Sequence, residues 1–210
     1  MERLKPIPLV FWKSAGGHEP VREWLNELPR EDQRTIGHDI ARVQFGWPVG
    51  LAVWRPMGKG LWEVRSSLPS KREARVLFGF HDGMLIALTA FIKKKQTTPA
   101  GRIGPCAATM EGGDGMTRKN PHIGSTFESW LDEKGLREEV TASAIKSVIA
   151  EQIAAAMKER GLTKSRMAEL MHTSRAQLAR LLDPTNGSAT LETLMRAAKV
   201  IGRELRLELH

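Results

Sequence analysis

The sequence predicts an α+β first part, followed by an all-α second part that ends in a strand. An apolar stretch, two amphipathic patterns and three strand-like stretches fill residues 1–99, whereas four helical patterns and a final strict alternation fill residues 117–210. Residues 100–116 lie between them, are rich in glycine and small side chains, and lack periodicity. We therefore expect two domains, 1–99 and 117–210, joined by a linker.

The first part has the element order of two helices packed on an antiparallel sheet. A strand from Ile7 to Trp12 is followed by two patterns with apolar residues on one face, Val21, Trp24, Leu25 and Leu28 in the first and Ile36, Ile40 and Val43 in the second. Strand candidates follow at 61–68, 74–80 and 84–93. An Asp82-Gly83 pair between the last two is typical of a tight hairpin.

Charge and cysteine content limit the possible functions. The chain carries a formal net charge of +8, with 16 Lys and Arg against 10 Asp and Glu in residues 1–100 and 16 against 14 in the remainder. The single cysteine, Cys106, excludes an internal disulfide and a cysteine-based zinc site. No run resembles a signal peptide or a membrane span. We expect a cytoplasmic protein without metal or cofactor, and with no membrane partner.

Residues 164–182 have the pattern of a helix-turn-helix. One short amphipathic helix covers Lys164 to Met171, a polar turn follows at 172–174, and a second helix begins after Ser174. Ser174 and Gln177 have the spacing of a capping box, in which each side chain bonds the other residue's amide. Met167, Ala168, Met171, Leu178, Leu181 and Leu182 are predicted to face inward.

The outward residues of this pattern suit DNA. Arg175, Gln177 and Arg180 lie at the start of the second helix, the end that meets base edges when such a helix enters a major groove. Lys164 and Arg166 precede them and suit phosphate contacts. The alternative is a helical hairpin with a solvated face. Alternating residues 203–209 predict an edge strand through which two copies could pair into a homodimer.

Four helices and a terminal strand in this order resemble the XRE-type antitoxins of the HigA family, from Thr117 to His210. The resemblance implies binding to operator DNA as a dimer and repression of the protein's own gene. His172 stands at the turn position where these motifs usually carry glycine, which predicts a slightly strained turn.

Three segments of the first part, in order, resemble the phage-derived HigB branch of the RelE/ParE toxin superfamily. They read KGLWEVR at 59–65, REARVLF at 72–78 and AFIKKKQTTP at 90–99. The resemblance implies a RelE-like fold and a small, metal-independent ribonuclease that cuts mRNA, usually on the ribosome. It also implies pairing with the antitoxin part. Gyrase inhibition, as in the ParE branch, is a further alternative.

Cationic side chains near the strand ends suit that chemistry. Cleavage of RNA through its own 2′-hydroxyl needs a base, an acid, and positive charge on the phosphate. The cations placed to converge on one phosphate are Arg65, Arg75, Lys93 and Lys94, with Lys59 at the rim. They could instead form a basic face that binds RNA without cutting it. Glu63 could act as the base, although a cross-strand ion pair with Arg65 or Arg75 is the simpler interpretation.

Two features of the sequence leave a second function open. The chain has no tyrosine, and after Pro99 it lacks the basic C-terminal helix usual in this toxin branch. The alternative to a toxin-antitoxin fusion is therefore a DNA-binding regulator with an inactive toxin-derived domain.

The stretch after the linker is acidic. A predicted capping box begins at Ser125, and the acidic residues that follow could face the basic first part or form a solvated helix face: Glu128, Asp132, Glu133, Glu138 and Glu139.

Overall fold

A computed structural model describes residues 6–47, 54–58, 60–93, 121–183 and 189–204. It divides the chain into two compact units, Met1–Thr141 and Ala142–His210, called here the first and second units. Lys59, Lys94, the predicted linker at 100–116 and most of the predicted C-terminal strand lie outside the described residues.

The chain is a mixed α+β protein. The strands are β1 (Leu9–Trp12), β2 (Trp54–Gly58), β3 (Leu61–Ser67), β4 (Glu73–His81), β5 (Met84–Ile92) and β6 (Ile123–Thr126). The helices are α1 (Pro20–Asn26), α2 (Arg30–Gly46), α3 (Phe127–Lys134), α4 (Arg137–Glu159), α5 (Lys164–Leu170), α6 (Arg175–Leu182) and α7 (Leu191–Val200). No helix in the described ranges is both long and apolar enough to cross a membrane.

One six-stranded sheet, in the order β2-β3-β4-β5-β1-β6, organises the first unit. β1 runs parallel to β5, and all other neighbouring strands are antiparallel. Positive φ angles of 49° at Asp82 and 74° at Gly83 form the tight turn between β4 and β5, which confirms the predicted hairpin. The sequence did not predict β2 or β6, because each is a short edge strand with little alternation of apolar residues.

Alternation along β1 assigns the two faces of the sheet. Leu9 and Phe11 are fully buried and lie on the face covered by helices. On that face the Phe11 ring packs edge-on against Phe127 of α3, with the ring centroids 6.5 Å apart. Val10 points to the opposite face and packs there with Ile86 and Leu61. The helix face therefore carries the main core, and the opposite face a smaller apolar cluster.

β6 and α3 complete this first unit. β6 pairs with the free edge of β1, and α3 buries Phe127, Trp130 and Leu131. The Trp130 ring donates a hydrogen bond from Nε1 to Asn26 Oδ1 of α1 at 2.9 Å. Residues 121–141, which the sequence analysis grouped with the second domain, are thus packed in the core of the first unit, and the compact units divide within α4.

The predicted capping box at Ser125 is wrong by one residue. Thr126 is the N-cap of α3, and its side chain accepts a hydrogen bond from the Ser129 amide at 3.1 Å. Ser125 cannot serve because its amide and hydroxyl both bond Glu19. The helix ends at Gly135 in the left-handed conformation, as the sequence predicted.

In the second unit, α5 and α6 pack against each other across a short turn. Met167, Ala168, Met171, Leu178 and Leu181 are buried, as expected, whereas Leu182 is half-buried.

The turn itself differs from the prediction in one hydrogen bond. The Ser174 hydroxyl accepts from the Gln177 amide at 3.1 Å, which is the predicted cap. The Gln177 side chain bonds the Thr173 hydroxyl rather than the Ser174 amide. His172 has φ of 51°, so the prediction of a strained turn is confirmed.

The pairing of β6 with β1 depends on Gly124. A Cβ at this position would lie 2.6 Å from the Phe11 carbonyl oxygen and would also collide with the Glu19 carboxylate. We expect Gly124→Ala to lower the free energy of unfolding of the first unit by about 1–3 kcal/mol, because backbone must move to accept the methyl group. All six tryptophans lie at or before residue 130, so urea unfolding followed by tryptophan fluorescence reports on this unit.

Gly16→Ala is the matched control for that substitution. Its Cβ would meet only the His18 ring at 3.5 Å and the Ser14 hydroxyl at 3.9 Å, which are ordinary contacts. Equal unfolding midpoints for the two variants would show that the approach of β6 to β1 is not tight.

Candidate functional site

Five charged side chains form a row on one face of the sheet, and we call Arg65, Glu63, Arg75, Glu73 and Lys93 the charge row. Arg65 of β3 lies directly opposite Arg75 of β4, and Glu63 and Glu73 each precede one of these arginines by two residues. Residues two apart in a strand share a face, so the sheet itself aligns four of the five. Lys93 follows the end of β5.

Glu63 is the centre of the row. It is fully buried, and its two carboxylate oxygens accept hydrogen bonds from two different guanidinium groups. Arg65 donates from Nε at 2.6 Å and Arg75 donates from Nη1. The bond from Arg75 confirms the cross-strand ion pair that the sequence predicted, whereas Arg65 lies on the same strand as Glu63. Burial acts to raise the pKa of Glu63, but the bonds and charges of Arg65 and Arg75 outweigh it, so the pKa is lowered.

Glu73 extends the row to Lys93. Its carboxylate lies 3.6 Å from the Lys93 ammonium and 4.0 Å from Arg75 Nη2. The Lys93 backbone amide also donates to the Glu73 carbonyl oxygen at 2.8 Å, which fixes the start of the lysine side chain. Sequence reasoning did not select Glu73. The signal that could have found it is its position two residues before Arg75 on the same strand face.

The two arginines are not equivalent, although the sequence treated them alike. The Arg65 side chain is 44% exposed, whereas that of Arg75 is 9% exposed and its Nε has no hydrogen-bond partner among the described residues. Arg65 uses Nε for Glu63, and no contact within the described residues engages its terminal amino groups. Arg65 and Lys93 are therefore the cations that a ligand can reach, whereas Arg75 contributes positive charge from a nearly buried position.

The row brings together three of the five cations predicted for the first part, Arg65, Arg75 and Lys93. Lys59 and Lys94 lie outside the described residues. In the part of the chain that the structure describes, no group of three or more His, Cys, Asp or Glu side chains could hold a metal ion. A surface of this kind can bind a phosphate through the charge-assisted hydrogen bonds of a guanidinium and an ammonium.

A second polar cluster joins residues 121–141 to the start of α1. Glu19 accepts hydrogen bonds from the Ser125 amide at 2.6 Å and the Ser125 hydroxyl at 2.5 Å. Arg22 donates to the Ser125 hydroxyl at 2.8 Å and to Glu133 at 2.5 Å. Burial acts to raise the pKa of Glu19, but the bonds from Ser125 and the charge of Arg22 outweigh it and lower the pKa.

Three of the five acidic residues after the linker contact α1 or α2 and not the charge row, whereas Asp132 pairs with Arg137. Besides Glu133, Glu128 accepts from Gln44 of α2 at 2.7 Å and Glu139 lies 2.9 Å from Arg34 of α2. Leu61 shares a strand face with Glu63 and belongs to the cluster opposite the helices. These acidic side chains and the charge row therefore lie on opposite faces of the sheet.

The second unit exposes the residues that the sequence selected for DNA. The six are Lys164, Arg166, Ser174, Arg175, Gln177 and Arg180, and all are exposed. The Ser174 hydroxyl caps α6 by accepting a hydrogen bond from the Gln177 amide, and Arg166 pairs with Glu169 at 3.1 Å. Leu178 and Leu181 hold α6 in the core, and Arg175 and Gln177 lie exposed at the start of the helix.

Residues 23–107 match the model of the family described as phage-derived protein Gp49-like (DUF891). That family is toxin-like, of the RelE kind, and the matched range contains the whole charge row. No curated protein matches the chain.

The lowered pKa values of Glu19 and Glu63 predict how stability of the first unit depends on pH. A carboxyl whose folded pKa lies below its unfolded value of about 4.5 stabilises the fold above that pH, and the stabilisation is lost as the pH falls through the folded pKa. The free energy of unfolding, measured by tryptophan fluorescence in urea, should therefore decrease as the pH drops below about 4.5.

Glu19→Gln tests whether Glu19 contributes to this loss of stability at acidic pH. It removes one of the carboxyls whose pKa is lowered, so the variant should lose less stability between neutral and acidic pH than the unaltered chain. An unchanged slope would show that Glu19 does not contribute to the acid sensitivity.

Proposed function

We propose that this chain is a toxin-antitoxin fusion, in which an mRNA-cleaving, toxin-like part is restrained by a tethered antitoxin-like part that binds operator DNA. The observation that carries the proposal is the charge row, because it places the exposed Arg65 and the half-buried Lys93 on one sheet face inside the range that matches a toxin-like family. The partners proposed are mRNA on the ribosome, operator DNA and a second copy of the chain.

The charge row supports a role in phosphate recognition. Arg65 would clamp the scissile phosphate, Arg75 would add charge beneath it, and Lys93, with Lys94 beside it in sequence, would stabilise the negative charge that builds during cleavage. Glu63 does not suit the role of general base, because its carboxylate is fully buried and both oxygens already accept hydrogen bonds.

The second unit supports operator binding. α6 presents Arg175, Gln177 and Arg180 from a helix whose other side is buried, which is the arrangement of a recognition helix in a major groove. Lys164 and Arg166 at the start of α5 would contact phosphates. This part of the proposal rests on a capped turn and exposed side chains, since the family match ends at residue 107.

Restraint of the toxin-like part would come from the tether. Residues 121–141 are built into the first unit by a strand, a helix and the Glu19 cluster, so the helix α4, and not the linker at 100–116, connects the toxin-like part to the second unit. Covalent linkage raises the effective concentration of each part at the other, which favours a restrained state even when the contact is weak.

A second candidate is a DNA-binding regulator whose toxin-derived part is inactive. Two carboxylates within the charge row, Glu63 and Glu73, offset two of its three cations. A row balanced in this way suits a structural ion-pair network as well as a phosphate site.

Growth on expression separates the two candidates. The intact chain should be harmless, whereas a chain ending at Thr141, which keeps β6 and α3, should slow growth and cleave translated mRNA. The same shortened chain carrying Arg65→Gln or Lys93→Gln should lose this effect, because the phosphate clamp is weakened.

Two other outcomes would contradict parts of the proposal. A shortened chain that is folded but harmless would favour the inactive regulator. Toxicity of the intact chain equal to that of the shortened one would reject restraint by the tether.

Operator binding predicts unequal effects within α5 and α6. Arg175→Ala and Gln177→Ala should each cost about 1–3 kcal/mol of specific binding and relax preference at one base position. Lys164→Ala should instead weaken binding to all sequences and flatten its dependence on salt. The measurement is fluorescence anisotropy with operator and random duplexes at several salt concentrations. Equal weakening on both duplexes by Arg175→Ala would reject base reading by that residue.

A further inference from the structure

We propose that Glu63 is a positioning residue, which holds the Arg65 guanidinium so that its two terminal amino groups face a phosphate. The inference rests on the proposed RNA site and adds to it the group that orients the clamp. Glu63 itself touches no ligand, because its side chain is fully buried.

The first step of the argument is how Arg65 is held. Its Nε donates to Glu63 at 2.6 Å, and this bond fixes one edge of the planar guanidinium. An arginine on an exposed strand surface otherwise samples many rotamers, and ordering it on a ligand costs free energy. A side chain already anchored through Nε keeps both terminal nitrogens for a bidentate contact with phosphate oxygens.

The second step is why Glu63 is charged and rigid. Arg75, which is nearly buried, binds the other carboxylate oxygen and compensates the buried negative charge. The carboxylate therefore cannot turn toward solvent and cannot follow Arg65. Glu63 is thus held in place by the nearly buried Arg75, and in turn holds Arg65, the cation that faces the ligand.

The third step separates Lys93 from this arrangement. Lys93 contacts Glu73, at 3.6 Å, and no contact within the described residues links it to Glu63. A change at Glu63 should therefore alter the contribution of Arg65 to binding and leave the contribution of Lys93 as it was. Lys93 thus provides an internal control.

The test is a mutant cycle in the full-length chain, with a short single-stranded RNA oligonucleotide as the probe. Removing Glu63 alone would leave Arg75 uncompensated in the interior, so one background is the unaltered chain and the other carries Glu63→Met together with Arg75→Met. Replacement of a buried ion pair by apolar side chains of similar volume is usually tolerated. Tryptophan fluorescence checks that each variant is folded.

Arg65→Gln should weaken RNA binding about tenfold or more in the unaltered chain and less than about threefold in the Glu63→Met/Arg75→Met background. Lys93→Gln should weaken binding by the same factor in both. Should the double variant fail to fold, Glu63→Gln with Arg75 retained replaces it: the neutral amide holds the guanidinium less firmly than the carboxylate, so the effect of Arg65→Gln should again be smaller than in the unaltered chain.

Two results would overturn the inference. If Arg65→Gln weakens binding equally in both backgrounds while Lys93→Gln also weakens it, Arg65 binds RNA without help from Glu63 and the proposed RNA site remains. If the unaltered chain does not bind the RNA, or if neither substitution changes binding, the RNA site fails and the positioning role fails with it.

Discussion

The antiparallel pairing of β6 with β1 is the contact on which the first unit depends. β1 is the strand whose alternating side chains define both faces of the sheet, and without β6 its outer edge would expose unpaired backbone groups. Strand addition satisfies those groups and also delivers α3, whose Phe127 and Trp130 close the core over Phe11 and α1. Gly124 allows this approach because a side chain there would occupy the space of the Phe11 carbonyl.

As a result of that pairing, the contacts that attach residues 121–141 and the charge row lie on opposite faces of the sheet. Glu128, Glu133 and Glu139 bind side chains of α1 and α2, so these three carboxylates lie on the helix side of the sheet. The charge row lies on the other face and carries its own internal counter-charges. Any restraint of the row by residues 121–141 therefore acts through the integrity of the unit or the tether, and not through direct ion pairing with Arg65 or Lys93.

The charge row shows how one buried carboxylate can give different roles to chemically identical neighbours. Arg65 and Arg75 are cross-strand partners and share Glu63, yet one is largely accessible and the other is nearly enclosed. The difference in exposure arises from the positions of the two strands, because β3 lies next to the edge strand β2 whereas β4 lies in the middle of the sheet. Accessibility, and not residue type, then decides which cation can meet a ligand.

Several features were determined by the sequence alone, because their signals are local. The Asp-Gly turn, the end of α3 at Gly135, the cap of α6 at Ser174 and the strained His172 each follow from the conformational preference of one or two residues. The ion pair of Glu63 with the arginines also followed, since strand periodicity places Glu63 and Arg65 on one face.

Tertiary structure decided the features that depend on contacts distant in sequence. β6 has only four residues and no alternation, and it forms because β1, over one hundred residues earlier, offers a free edge. For the same reason Ser125 bonds Glu19 instead of capping α3, and residues 121–141 join the first unit. The unequal burial of Arg65 and Arg75 belongs to this class too, because side-chain accessibility depends on which strands lie on either side, and a periodic pattern does not specify that order.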